Sequence, residues 1–135
     1  MFSFIKIEFW EYIKIKKMGI AQQYYNQALL YFEQRKYQEV IDYYDLAIEL
    51  EPERALIYYN KGRVLFMMEQ YEEAAAAYDL AAKIEPNNID ALYHKASALC
   101  KIGKYLQAIE SENNILTIDP SCPSACHNKR KVVSI

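Results

Sequence analysis

Glycine and proline are scarce, with 3 and 4 in 135 residues. An all-β chain of this length needs more turn punctuation than that, whereas long stretches free of proline suit helices. Cysteine is sparse and odd in number: Cys100, Cys122 and Cys126. Three thiols do not make a disulfide framework, and with no secretory leader visible they read as reduced cytosolic thiols, which points to a cytoplasmic protein. The segment MFSFIKIEFWEYIKIKK is apolar but broken by Lys6, Glu8, Glu11 and Lys14. It offers neither the uninterrupted core nor the cleavage site of a signal peptide, and no run long enough to span a bilayer. Excess charge is missing too. A net charge of −2 gives no general attraction to nucleic acid or to an anionic membrane. No glycine-rich phosphate loop, metal-ligand helix or nucleophile motif appears, so no cofactor is implied.

What the chain does have is a period. YYN occurs at 24–26 and again at 58–60, an interval of 34. The same interval places proline at Pro52, Pro86 and Pro120, and tyrosine at Tyr37, Tyr71 and Tyr105. It places small residues at Ala28, Gly62 and Ala96, and small or β-branched ones at Val40, Ala74 and Ala108. A fixed period over the middle of a chain signals a repeat architecture. Within a row the apolar spacing is helical: Tyr24, Ala28 and Tyr31 share one face, and Tyr37, Val40, Ile41, Tyr44, Ala47 and Ile48 another. EQRK, EQ or GK breaks each row in two, and proline closes it, because its ring clashes with the turn before it. Each row is expected to be a helical hairpin drawn together at its small residues.

These residues resemble the tetratricopeptide repeat family. Its pattern fits the second row best, at Tyr58, Gly62, Leu65, Ala74, Tyr78, Ala81 and Pro86. The first row fits at Tyr24, Ala28, Tyr31, Val40, Tyr44, Ala47 and Pro52. The third is weaker, at Leu92, Ala96, Leu99, Ala108 and Pro120, with Glu112 in place of an aromatic and Ile115 in place of alanine. The resemblance implies an all-α solenoid of three hairpins, at 21–54, 55–88 and 89–122. Residues 123–135 begin like a fourth first helix, with Cys126, Arg130 and Val133 facing inward, and are expected to cap the array. Glu112 then either pairs with Lys129 or Arg130 of that cap or lies in solvent.

Residues 1–20 break the period. IKIEF and YIKIK alternate like a strand, while Phe2, Ile5, Phe9, Tyr12 and Ile13 also fit one helical face; the neighbouring helix favours the second reading. Met18 offers a second start. Trp10 and the phenylalanines call for burial on the first repeat, in the groove, or in another chain.

The resemblance further implies a right-handed superhelix with the first helices lining its concave side. The groove residues are then Tyr25, Asn26, Leu29 and Phe32 in the first row, and Tyr59, Asn60, Arg63, Phe66 and Met67 in the second. Tyr93, His94 and Lys101 follow in the third, and Asn128 in the partial fourth. They form a tyrosine ladder, Tyr25, Tyr59 and Tyr93, and an amide ladder, Asn26, Asn60, His94 and Asn128. An Asn amide both donates and accepts, so it can hold an extended backbone of any sequence, and tyrosine adds flat contact area. Family members that grip the acidic tails of heat-shock chaperones need Lys and Asn, then Asn, then Lys and Arg. The matching positions here hold Tyr25, Leu29, Asn60, Asp90 and His94; only Asn60 agrees, and Asp90 repels a carboxylate. The expected function is therefore a non-enzymatic scaffold holding a peptide or partner segment that is not a chaperone tail. The alternative is a self-associating assembly protein that uses residues 1–17, its groove empty or filled by them. Cys122, Cys126 and His127 lack a fourth ligand nearby and read as incidental rather than as a zinc site.

Overall fold

The computed structural model describes residues 2–122, apart from the side chains of residues 2–5 and 7. These residues form six α-helices and no strand: α1 Phe2–Glu33, α2 Tyr37–Leu50, α3 Ala55–Met67, α4 Tyr71–Ile84, α5 Ile89–Lys101 and α6 Tyr105–Ile118. The 34-residue interval recurs in the helix ends. The second helices begin at Tyr37, Tyr71 and Tyr105, and the first helices end at Glu33, Met67 and Lys101.

The links between paired helices repeat just as closely. Arg35, Glu69 and Gly103 all adopt positive φ, at 59°, 62° and 78°. The amide that follows each one donates back to the preceding helix: Lys36 to the carbonyl of Tyr31, Gln70 to Leu65 and Lys104 to Leu99, at 3.0, 2.9 and 2.9 Å. This six-to-one bond with a left-handed residue just before it is a Schellman cap. It satisfies carbonyls at the helix end and turns the chain in few residues. The second helices end differently. Glu51, Glu85 and Asp119 cap α2, α4 and α6, and proline stands one residue beyond each.

The chain divides into two compact units, residues 1–54 and 55–135. In the first, α1 and α2 pack as a hairpin over Ala21, Ala28, Val40, Ile41, Tyr44 and Ala47, all buried. In the second, α3 packs on α4, α4 on α5 and α5 on α6. Each first helix presents a small residue to a large one sixteen positions on. The pairs are Ala28 and Tyr44, Gly62 and Tyr78, and Ala96 and Glu112; all six are buried, and at Gly62 the large partner is in direct contact. At Gly62 a Cβ would stand 2.8 Å from the Tyr78 ring, so glycine sets the approach of α3 to α4.

Two polar ties fix α5. Lys95 Nζ lies 2.7 Å from Asp79 on α4, and the Ser111 hydroxyl of α6 donates to the carbonyl of Leu92 at 2.8 Å. Burial works to raise the Asp79 carboxyl, but hydrogen bonds from Lys95 and Lys83 outweigh it and hold the group below its usual value. Asn88 caps the start of α5, accepting from the amide of Ala91 at 3.1 Å. Cys122 is buried and joins Leu92 and Ile115 in the core at the end of the second unit.

Two expectations change, and a third falls outside the described residues. Glu112 does not lie in solvent; it is fully buried in the column that Tyr44 and Tyr78 fill in the other rows. The expected cap at 123–135, with Lys129 and Arg130 as its pairing groups, lies outside the described residues. The apolar segment before Ala21 is not a separate element either. α1 continues through Gly19 without a break, a rod of 32 residues and about 48 Å. Residues 2–17 therefore extend the first helix instead of folding back over it, so they do not fill a groove in their own hairpin. Trp10 is not buried on the first repeat: it is 64% exposed.

Candidate peptide-binding surface

The expected groove residues are described one unit at a time. In the first unit, Tyr25 is half-buried on α1, its ring 5.8 Å from that of Tyr44. The Arg54 guanidinium covers the Tyr25 ring at 5.2 Å and also pairs with Glu51 at 3.2 Å. Arg54 donates to the Gln22 side chain at 2.9 Å, and Gln22 in turn donates to Asn26 Oδ1 at 2.9 Å. Asn26 is exposed, with its side-chain oxygen engaged by this chain of bonds. Leu29 is exposed and Phe32 is half-buried against Tyr37 at 5.8 Å.

In the second unit the aromatic rings converge. Tyr59 on α3 meets Tyr78 of α4 at 5.7 Å and His94 of α5 at 5.6 Å. His94 stacks on Tyr78 at 5.5 Å and 24°, and Tyr93 abuts His94 edge-on at 5.3 Å. The Tyr59–His94 contact joins the two first helices of this unit, so their outward residues form one surface. On it Tyr59, Asn60, Tyr93 and His94 are half-buried, while Arg63, Met67 and Lys101 are exposed. Phe66 packs edge-on against Tyr71 at 4.9 Å, and Lys101 Nζ lies 5.9 Å from the same Tyr71 ring.

The electrostatics follow from partial burial. Desolvation is the main cause that pushes Tyr78 and Tyr59 above the usual phenol value. Asp90 adds to the effect at Tyr59, and Arg63 opposes it at both. Both remain neutral hydroxyls at physiological pH. Desolvation also lowers His94 below its ordinary value, with Arg63 acting the same way and Asp90 against. His94 therefore presents a neutral imidazole at neutral pH, able to donate from one nitrogen and accept at the other. It matches in capacity the Asn that the other rows carry at its position. The surface sets backbone-like hydrogen-bonding groups beside flat rings, with Arg63, Lys101 and Asp90 as exposed charges at its margin.

Sequence reasoning did not single out Tyr78 or Arg54 as parts of this surface. Gly62 opposite Tyr78, where the other rows hold Ala28 and Ala96, was the available signal for the deep seat of Tyr78. Nothing in the spacing announced the Arg54–Gln22–Asn26 chain, because it links residues 32 apart through side-chain reach. Asn128, the last rung of the expected amide ladder, lies outside the described residues. A separate cleft of about 490 Å³, also unanticipated, opens in the first unit. Trp10, Ile13, Lys14, Lys17 and Met18 of α1 form one wall, and Leu50 to Arg54 the other.

Tetratricopeptide repeat models match residues 25–89 and, again, residues 77–110. Together they span 25–110, more than half of the 135-residue chain. The chain belongs to the tetratricopeptide repeat family. Solved tetratricopeptide structures resemble it over most of its length. The first such domain of Spaghetti (RPAP3), bound to the HSP90 peptide SRMEEVD, is 21% identical with a TM-score of 0.76, over 87% of this chain and 93% of that one. The domain of Arabidopsis OM64 is 16% identical with a TM-score of 0.75, over 87% and 98%. The TPR2B domain of yeast Sti1, in complex with an Hsp70 peptide, is 23% identical with a TM-score of 0.74, over 84% and 96%. At these identities the likeness is one of fold. No curated protein sequence matches this chain. Tetratricopeptide domains are in general protein-interaction modules without catalytic activity, and among the described residues no helix is long and apolar enough to cross a membrane.

Proposed function

We propose that this tetratricopeptide protein is a non-enzymatic scaffold that holds an extended peptide or partner segment along its first helices, with Asn60 as the central backbone-gripping residue. The observation that carries the reading is the junction of α3 and α5, where Tyr59, Tyr93 and His94 form a packed platform with Asn60 on the helical turn beside it. Rings fixed by one another lose little entropy on binding. An amide on such a platform recognises main chain, so the surface sets a binding mode and the neighbouring Phe66 and Met67 of α3 favour a partly apolar sequence. Met67, exposed and unbranched, adapts to varied side chains. Asp90 stands where an acidic tail would need a cation, so chaperone tails are outside the class bound.

The test is a peptide array probed with the parent, Asn60→Ala, and Tyr59→Ala, with SRMEEVD included. Partly apolar, non-acidic peptides should bind the parent, and Asn60→Ala should weaken them about tenfold, the worth of roughly one buried hydrogen bond, measured at a temperature where circular dichroism shows both chains folded. Equal binding by parent and Asn60→Ala, or preference for SRMEEVD, refutes this reading.

A further inference from the structure

The surface on α3 and α5 carries its charges in a fixed order. On α5, Asp90, His94, Ser97 and Lys101 follow at intervals of four, three and four residues. At 100° per residue they fall within a sector of about 60°. One face of this helix therefore opens with an acid, runs through two half-buried polar groups and closes with a base. Asp90 and Lys101 are both exposed, and about 16 Å of helix separates them. On α3, exposed Arg63 stands one turn beyond Tyr59. Phe66 of α3 and Lys101 of α5 both meet the Tyr71 ring, so the C-terminal ends of the two helices lie together. Arg63 is thus displaced from the rings toward the Lys101 end. Asp90 and Arg63 act with opposite sign on both Tyr59 and His94, so each stands within electrostatic reach of the platform. None of Asp90, Arg63 and Lys101 forms an ion pair among the described residues. The helix dipole favours an acid at the start of α5 and a base at its end, but it gives no reason for Arg63 inside α3.

We infer that the partner segment is dipolar: a cationic side chain lies at the Asp90 end of the platform, an anionic one at the Arg63 and Lys101 end, and an apolar stretch between them covers the rings. The spacing follows from the helix. About 16 Å of extended chain, at about 3.3 Å per residue, sets the two charges about five positions apart. Such a segment is net neutral, whereas an acidic tail would set a carboxylate against Asp90. Charges placed this way fix orientation and register, while the apolar stretch supplies the burial. The inference rests on the reading of α3 and α5 as a peptide surface and adds to it the partner's charge pattern.

Four capped peptides with one core, KLSFTE, ELSFTK, KLSFTK and ELSFTE, test it by calorimetric titration of the full chain at low salt. At least one dipolar peptide should bind the parent about fivefold more tightly than either like-charged peptide, and the gap should narrow in high salt. Asp90→Lys turns the platform cationic at both ends and should make ELSFTE the tightest of the four, with circular dichroism showing that the variant folds. Four peptides bound alike by the parent overturn the inference, and so does a dipolar preference that Asp90→Lys leaves in place. In either case weaker binding of all four by Asn60→Ala leaves the peptide surface itself standing. Binding of none of the four overturns the charge pattern, and Asn60→Ala equal to the parent on every peptide that binds refutes the surface as well.

Discussion

The close approach of α3 to α4 at Gly62 gives the sharpest test of the packing argument. Alanine at position 62 has two opposed effects. In a helix interior it gains about 1 kcal/mol over glycine from backbone entropy. Against that, its Cβ would stand 2.8, 2.9 and 3.0 Å from three atoms of the Tyr78 ring, where carbon atoms settle at about 3.5–4.0 Å. The ring would have to retreat by more than half an ångström, but His94 is stacked on it and Tyr59 leans against it. Overpacking a fixed core costs about 1–3 kcal/mol, and a ring confined on two sides belongs in the upper part of that range. The net expectation for Gly62→Ala is a loss of about 1–2 kcal/mol, a midpoint roughly 4–7 °C lower by thermal circular dichroism. Gly19→Ala is the control. It lies inside α1 with nothing within 4 Å of its added Cβ, so only the gain remains, about 1 kcal/mol of local helix stability. Opposite signs for one substitution at two helical glycines is the expected result. Equal stabilisation by both would refute the claim that Tyr78 needs the space at Gly62.

Two further outcomes are expected. Glu69 holds a left-handed conformation that glycine adopts at no steric cost, so Glu69→Gly should raise stability by about 0.5–1 kcal/mol in urea titrations, while Gly103→Ala in the same kind of cap should lower it by a similar amount. Folding keeps His94 neutral, because burial lowers its proton affinity, with Arg63 assisting and Asp90 opposing. The unfolded chain therefore takes up a proton first as pH falls, and this stability, whole above about pH 6.5, is lost as pH drops through the folded value. His94→Phe should flatten the stability profile between pH 5 and about 6.5 relative to the parent; unchanged slopes would show that His94 does not sense its burial.

Much of this protein was legible in one dimension, because a repeat writes its contacts as a period. Pro52, Pro86 and Pro120 marked the ends of the second helices, and Ala28, Gly62 and Ala96 marked the close approaches, since helix spacing and side-chain volume are local properties. The Schellman caps were partly hidden: Gly103 signals one, but Arg35 and Glu69 occupy the same left-handed position without the residue that usually betrays it. The burial of Glu112 was hidden for a related reason. A column rule places position 112 inside, and a carboxylate there runs against the ordinary preference for solvent.

The sequence by itself determined the number of helices in the repeats, their pairing and their turns, since periodicity and volume act between residues near in the chain. Tertiary structure alone decided the fate of the N-terminal segment, where strand and helix patterns tied, and left Trp10 in the open on a continuous α1. It also decided which polar groups on the binding surface are engaged. Arg54 takes the Gln22 side-chain oxygen and His94 settles on Tyr78 because side chains far apart in sequence come within reach only when helices pack.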